Sequence, residues 1–320
     1  MTGRLALPVL MLAAAAAVAE PLGLPLACRP GVDCWVMNYV DDDPGPGASD
    51  YRCGPRSYDG HDGTDFAIRD RAAMDRGVAV LASAAGVVAG MRDGQPDGAF
   101  AEGDRAAVKG IECGNGVLLR HADGTETQYC HLRRGSVAVH PGQAVARGER
   151  LGLVGLSGMS QFPHVHITVR VGGRAVDPFT GDAPAEGCGR PGAPLWADAP
   201  AYEPGALYAA GFADHVPDPA QLKRDADSPP HLPADRPLVL WGALFGAAAG
   251  DQVRLSIRGP GGSAVLDHAA RLERTQAWAM RAAGRPAPPG GWPAGTYVGE
   301  ATVERADGTR LARQATVMVP

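Results

Sequence analysis

Between residues 58 and 180 the apolar residues come in short alternating runs instead of long helical stripes: GVAVLASAAGVVAGM, GNGVLLRHADGTETQYCHL, ARGERLGLVG and VHITVRVGGRAVDP. A period of two places successive side chains on opposite faces of an extended chain, which is the pattern of half-buried strands. Turn chemistry separates the runs. Asp123-Gly124 and Gly172-Gly173 are hairpin dipeptides, since tight hairpins need residues that accept positive φ. With 44 glycines and 28 prolines in 320 residues, the expected class is all-β, with a compact antiparallel β-sheet domain over residues 58–180. Residues 91–112, MRDGQPDGAFAEGDRAAVKGIE, are polar and Gly-rich and read as an insertion or long loop over that sheet.

The flanks divide the rest of the chain. MTGRLALPVLMLAAAAAVAE carries one arginine, an apolar stretch and Ala17-Val18-Ala19 before Glu20, the pattern of a secretory leader over 1–19. The apolar stretch is short for a membrane span. A lipid anchor at Cys28 is disfavoured because Pro25 stands where such signals want an aliphatic residue. Residues 20–57 form a Pro/Gly/Asp-rich, disulfide-tied lead-in. Residues 181–235 read as a Pro/Asp-rich linker with a short helix near 201–212. Alternation returns over 236–320, where a hairpin at Asp307-Gly308 and about 85 residues suggest a small immunoglobulin-like β-sandwich.

All six cysteines, at 28, 34, 53, 113, 130 and 188, follow the leader, and an even number after an export signal implies disulfides. Fifteen pairings are open. Cys34–Cys53 would close the loop DDDPGPGASDY. Cys113–Cys130 would require Gly114-Asn115-Gly116 to fold back, because the hairpin sets Cys130 opposite Val117. The net charge of −5 argues against a nucleic-acid or anionic-membrane surface. Asp41-Asp42-Asp43 lacks a calcium-loop spacing and reads as a solvated acidic turn. Trp241, Trp278 and Trp292 are assigned to sandwich packing in preference to sugar stacking.

Two histidine motifs carry the chemistry. In GHDGTDF, His61 and Asp65 are four apart, and in a flat strand their Cα atoms would stand about 13 Å apart. A kink at Gly63 would bring them together as half of a divalent-metal site. In FPHVHITVRV, His164 and His166 share one strand face. One of the two can complete a set of three protein ligands, leaving a fourth position open as a catalytic zinc site needs, while the other stands free to assist. His131, at the end of QYCHL, can face the same place from another strand.

The order of these pieces, with GVAVLASAAGVV, V-x-P-G-Q-A-V-A-R-G-E-R-L-G-L-V-G-L-S-G and a closing VDP, resembles the LytM/lysostaphin-like zinc endopeptidases that cleave peptidoglycan cross-links. The resemblance covers about 120 residues, from 58 to 178. It implies one Zn²⁺ held by His61, Asp65 and His166, with His131 and His164 off the metal and assisting catalysis. It also implies a peptidoglycan peptide substrate, and with the leader the expected location is exported, in a periplasm or extracellular at the cell envelope. The C-terminal sandwich is then expected to be an accessory module docking on wall or on a protein partner. Gln161-Phe162-Pro163 stands where the family has Thr-Gly-Pro, which bears on the groove wall and not on the metal. The competing reading is a catalytically silent activator of another wall hydrolase; retention of all five positions favours the enzyme.

Overall fold

The structure, a computed structural model, describes residues 20–98, 100, 105–106, 108–184, 187–226 and 228–320. The leader expected over 1–19 lies outside the described residues. No described helix is long and apolar enough to cross a membrane.

The first unit holds β1 (Cys34–Asn38), β2 (Thr64–Ile68), α1 (Arg71–Arg76), β3 (Ala79–Leu81), β4 (Gly86–Arg92), β5 (Asn115–Arg120), β6 (Glu126–Leu132), β7 (Ala144–Val145), β8 (Arg150–Leu153), β9 (His164–Val171) and β10 (Arg174–Val176). Its main sheet runs β1-β2-β9-β6-β5-β4-β7, with β10 on β9, and β3 pairs with β8 beside it. All of these pairings are antiparallel. Alternate side chains such as Phe66, Ile68, Val117, Leu119, Val165, Ile167 and Val169 point into one core with Leu151, Val154 and Leu156. The three strands that carry the histidine and aspartate motifs, β2, β9 and β6, are therefore neighbours in the middle of the sheet.

The second unit is a sandwich of β11 (Ala206–Ala213), β12 (Leu238–Ala247), β13 (Gln252–Arg258), β14 (Ala264–Arg271), β15 (Gln276–Arg285), β16 (Gly295–Glu304) and β17 (Arg310–Val319). One sheet is β11-β12-β15 and the other β14-β13-β16-β17. The fourth strand pairs with the third, whereas in a constant-type immunoglobulin domain it joins the sheet of the first, second and fifth. The stretch expected as a short helix near 201–212 is mostly β11, and a helix of the linker, α2 (Pro219–Arg224), lies further on. ALYAAGFA is buried on both faces, Leu207 inside the sandwich and Tyr208 against the first unit. A strand covered on both sides loses its alternation and looks like any other short apolar run. Trp241 is fully buried, and Trp278 donates its indole N–H to Tyr208 Oη at 2.8 Å, so both pack at the junction of the units. Trp292 packs on the sandwich core.

Cys113–Cys130 forms as expected. Gly114 adopts φ +63° and a register shift between Asn115 and Val117 lets Cys113 reach back. The expected Cys34–Cys53 bond does not form; the bonds are Cys28–Cys34 and Cys53–Cys188. Residues 29–34 make a tight turn, with Gly31 N–H donating to Cys34 O, which presents Cys28 to Cys34. The DDDPGPGASDY loop needs no covalent closure: the Asp50 carboxylate accepts from the N–H groups of Arg52, Gly54 and Arg56. Asp41 and Asp42 of the acidic run are also buried and not solvated, while Asp43 is half-buried. Asp41 is buried and caps the N–H groups of Asp43, Ser49 and Gly60. Burial, together with the charges of Asp41 and Asp182, pushes Asp42 up to about 6.

Candidate metal centre

Asp65 sits in β2 directly opposite His166 in β9, and antiparallel partners present their side chains to the same face. His61 precedes β2 and turns back over it through Gly63, so the His61-x-x-x-Asp65 spacing is not a flat strand. His61 Nε2 lies 3.2 Å from Asp65 Oδ1 and 3.1 Å from His166 Nδ1, and His166 Nδ1 lies 2.9 Å from Asp65 Oδ1. The three residues offer one ligand atom each within 4.8 Å of one another. Two imidazole nitrogens and one carboxylate oxygen form a donor set suited to a borderline divalent ion. A second cluster of potential ligands among the described residues, Cys28, Asp33 and Cys34, contains a disulfide and offers no thiolate.

Each ligand atom is aimed by a partner on its far side. His61 Nδ1–H donates to Tyr39 O at 2.6 Å, which fixes the tautomer with Nε2 bare. Asp65 Oδ2 accepts from Asn38 Nδ2 at 2.8 Å. His166 Nε2 lies 2.9 Å from Thr168 Oγ1 and 3.4 Å from Asp62 Oδ1. Such partners orient ligands and tune their basicity. None of these four groups is marked in the sequence by a motif, although Asp62 stands next to His61.

His131 and His164 stand beside this cluster. Their rings lie 4.6 Å apart, and His131 lies 6.1 Å from His166, centroid to centroid. His164 Nδ1–H donates to Phe162 O at 2.8 Å, and His131 Nδ1–H donates to Ser157 O at 2.8 Å. A ring nitrogen bonded to a carbonyl oxygen must carry the proton, so in each neutral ring Nε2 is the acceptor. His164 Nε2 lies 3.5 Å from Asp65 Oδ1, on the metal side. His131 has φ +64°, an uncommon conformation for a non-glycine residue, held by the bond from its N–H to Cys113 O at 2.8 Å. The Cys113–Cys130 disulfide thus sits on both sides of the turn that aims His131.

The electrostatics separate the two pairs. Burial opposes the charge of Asp65, but His61, His164 and His166 outweigh it and hold the carboxyl well below the usual range. Burial also opposes protonation of His166; hydrogen bonds to Asp62 and Asp65 win and raise it to about 9. His131 and His164 are pushed down, chiefly by burial. Both stay neutral at pH 7, as acceptors of protons must. His166 keeps 12 % side-chain exposure while His61 keeps 1 %, so the cluster opens to solvent on the His166 side.

Phe162 stacks on His164 at 4.4 Å, and Lys223 of α2 lies over the Phe162 ring and donates to Gln161 Oε1 at 3.0 Å. A cleft of about 480 Å³ between α1 and α2 is lined by Asp70, Asp75, Phe212 and His215 among others and holds none of the five residues. His121, in contrast, is tied to Ala85 O and Thr127 Oγ1 in the sheet and serves structure.

Residues 59–178 match Peptidase family M23. The chain is 33 % identical over 129 residues to an uncharacterized metalloprotease of Haemophilus influenzae, covering 40 % of this chain and 22 % of that protein. It is 43 % identical over 67 residues to the DD-carboxypeptidase/endopeptidase Mpg of Neisseria meningitidis serogroup B, covering 21 % and 15 %. It is 34 % identical over 124 residues to the peptidoglycan DD-endopeptidase ShyA of Vibrio cholerae, covering 39 % and 23 %. The chain therefore spans less than a quarter of the length of each of these relatives.

Proposed function

From the premise that residues 59–178 are a peptidase family M23 domain, we propose that this protein is an exported, zinc-dependent endopeptidase that hydrolyses peptide cross-links of peptidoglycan. The observation that carries the reading is the convergence of His61 Nε2, Asp65 Oδ1 and His166 Nδ1 beside two buried histidines whose Nδ1 atoms are committed to backbone carbonyls. The three would hold one zinc ion, and His131 and His164 would act on the substrate. Zinc in such a site supplies Lewis acidity toward the scissile carbonyl and lowers the pKa of water.

The residues of the chain account for the proton traffic. His131 and His164 begin neutral with Nε2 unprotonated, so either ring accepts the proton that the attacking water gives up as its oxygen bonds to the carbonyl carbon. The resulting imidazolium then gives that proton to the departing amine as the C–N bond breaks and the carbonyl re-forms. No carboxylate is required as base, which fits the absence of the His-Glu-x-x-His pattern. Export is supported by three disulfides. The substrate class follows the relatives whose names specify peptidoglycan or its D,D-bonds.

The test is zinc content together with release of soluble fragments from purified peptidoglycan. His166→Ala is expected to lose both. His164→Ala and His131→Ala are expected to keep zinc and lose roughly 100-fold or more in rate. A parent protein that holds zinc and releases nothing from any wall preparation overturns the hydrolase and leaves the catalytically silent activator.

A further inference from the structure

Asn38 lies outside the 59–178 span, in the lead-in, yet its side chain is the hydrogen-bond donor on the far side of Asp65. The backbone is irregular at this point. Val36 pairs with Phe66, and the next pairing is Asn38 with Asp65, so the register shifts by one between them. Without that bulge Met37 would stand opposite Asp65, and a thioether can donate nothing to a carboxylate. With it, Met37 packs into the apolar junction with the sandwich and Asn38 takes the position opposite Asp65. Bulges beside active sites commonly re-aim a side chain in this way.

The same segment serves His61. Tyr39 O accepts from His61 Nδ1, Asp41 N–H donates to His61 O at 2.9 Å, and Asp41 Oδ2 accepts from Gly60 N–H at 2.9 Å. Residues 38–41 therefore grip both ends of the His61–Asp65 half-site. The segment is itself fastened by the Cys28–Cys34 bond at the start of β1 and by Arg56, whose guanidinium donates to the carbonyls of Val36 and Met37.

We infer that Asn38 is a positioning residue for the metal: it fixes the Asp65 carboxylate with Oδ1 toward His61 and His166, so the lead-in is part of the metal centre. This rests on the proposal that the centre binds zinc. Replacing the amide by an isosteric apolar group leaves Asp65 Oδ2 unpaired and the carboxylate free to rotate, and loss of such a partner typically weakens metal binding about 10–100-fold.

The experiment uses the full chain, with zinc affinity read by chelator competition and the site geometry by the visible absorption of the cobalt(II)-loaded protein. Asn38→Leu is expected to bind zinc about 10–100-fold more weakly and to alter the cobalt spectrum. Val36→Ala, which loosens β1 by opening a core cavity without touching the site, is the control. It is expected to lower the melting temperature while leaving zinc affinity within about threefold of the parent. The inference is overturned if Asn38→Leu also stays within about threefold of the parent, or if Val36→Ala weakens zinc as much as Asn38→Leu does. Affinity is measured without turnover, so a parent that binds zinc and cuts nothing would overturn the hydrolase reading and leave this one standing.

Discussion

A β-carbon at Gly63 would meet His166 Nε2 at 2.5 Å and Ile167 O at 2.6 Å. The second contact is strand backbone, which cannot move aside as a flexible side chain would. Gly63→Ala is therefore expected to displace either His166 or the His61 turn. Zinc affinity should fall by at least about tenfold, with loss of stability of about 1–3 kcal/mol, read by chelator competition and denaturant unfolding. His166 supplies the pH dependence. Its imidazole is raised to about 9 in the metal-free fold by Asp62 and Asp65, which overcome burial. That extra stability of the metal-free protein is fully present below about pH 6.5, the unfolded value, and is lost as pH rises through about 9. Zinc needs the deprotonated ring, so its apparent affinity should climb by up to about tenfold per unit between those limits. Titrations showing no rise across that window would remove the assignment of His166 Nδ1 as a ligand atom.

Among the elements, α2 has an effect beyond its length. Asp218 caps it by accepting from Gln221 N–H, Pro219 opens it, and Leu222 anchors it in the junction core. Lys223 then reaches Gln161 and Phe162, the two residues that depart from the usual Thr-Gly-Pro, and Phe162 stacks on His164. A helix from the linker thus braces the wall behind a candidate catalytic ring. Lys223→Ala is expected to lower the rate of peptide hydrolysis by up to about tenfold while zinc affinity holds, because only a ring proposed to move the proton is loosened and no candidate ligand is touched. Assay of both quantities on one preparation checks it. At the same scale β1 is covered on both faces, Cys34 and Val36 toward the sheet core and Trp35 and Met37 toward the sandwich.

For the whole molecule the decisive feature is that the two units share a buried junction. Arg56 is its polar centre: fully covered, it donates to Val36 O, Met37 O and Glu203 O, and its guanidinium lies 4.4 Å from the centre of the Phe245 ring. Arg56→Met would leave those carbonyls without a donor at the core of the junction. The expected cost is about 1–3 kcal/mol for each carbonyl left unpaired, and calorimetry is expected to show one unfolding transition for the parent and two for the variant. What the sequence determined by itself is local: strand period, hairpin dipeptides, and the His61, Asp65, His131, His164 and His166 residue types at spacings that one sheet can gather. It also allowed Cys113–Cys130, because a short loop limits where that thiol can go. The Cys53–Cys188 pair, the strand nature of ALYAAGFA, the burial of Asp41 and Asp42, and the grip of Asn38 and Tyr39 on the candidate metal ligands were decided by tertiary structure alone. Each of these depends on which surface covers a segment from outside, and a covering surface distant in the chain leaves no period, spacing or composition in the segment it covers.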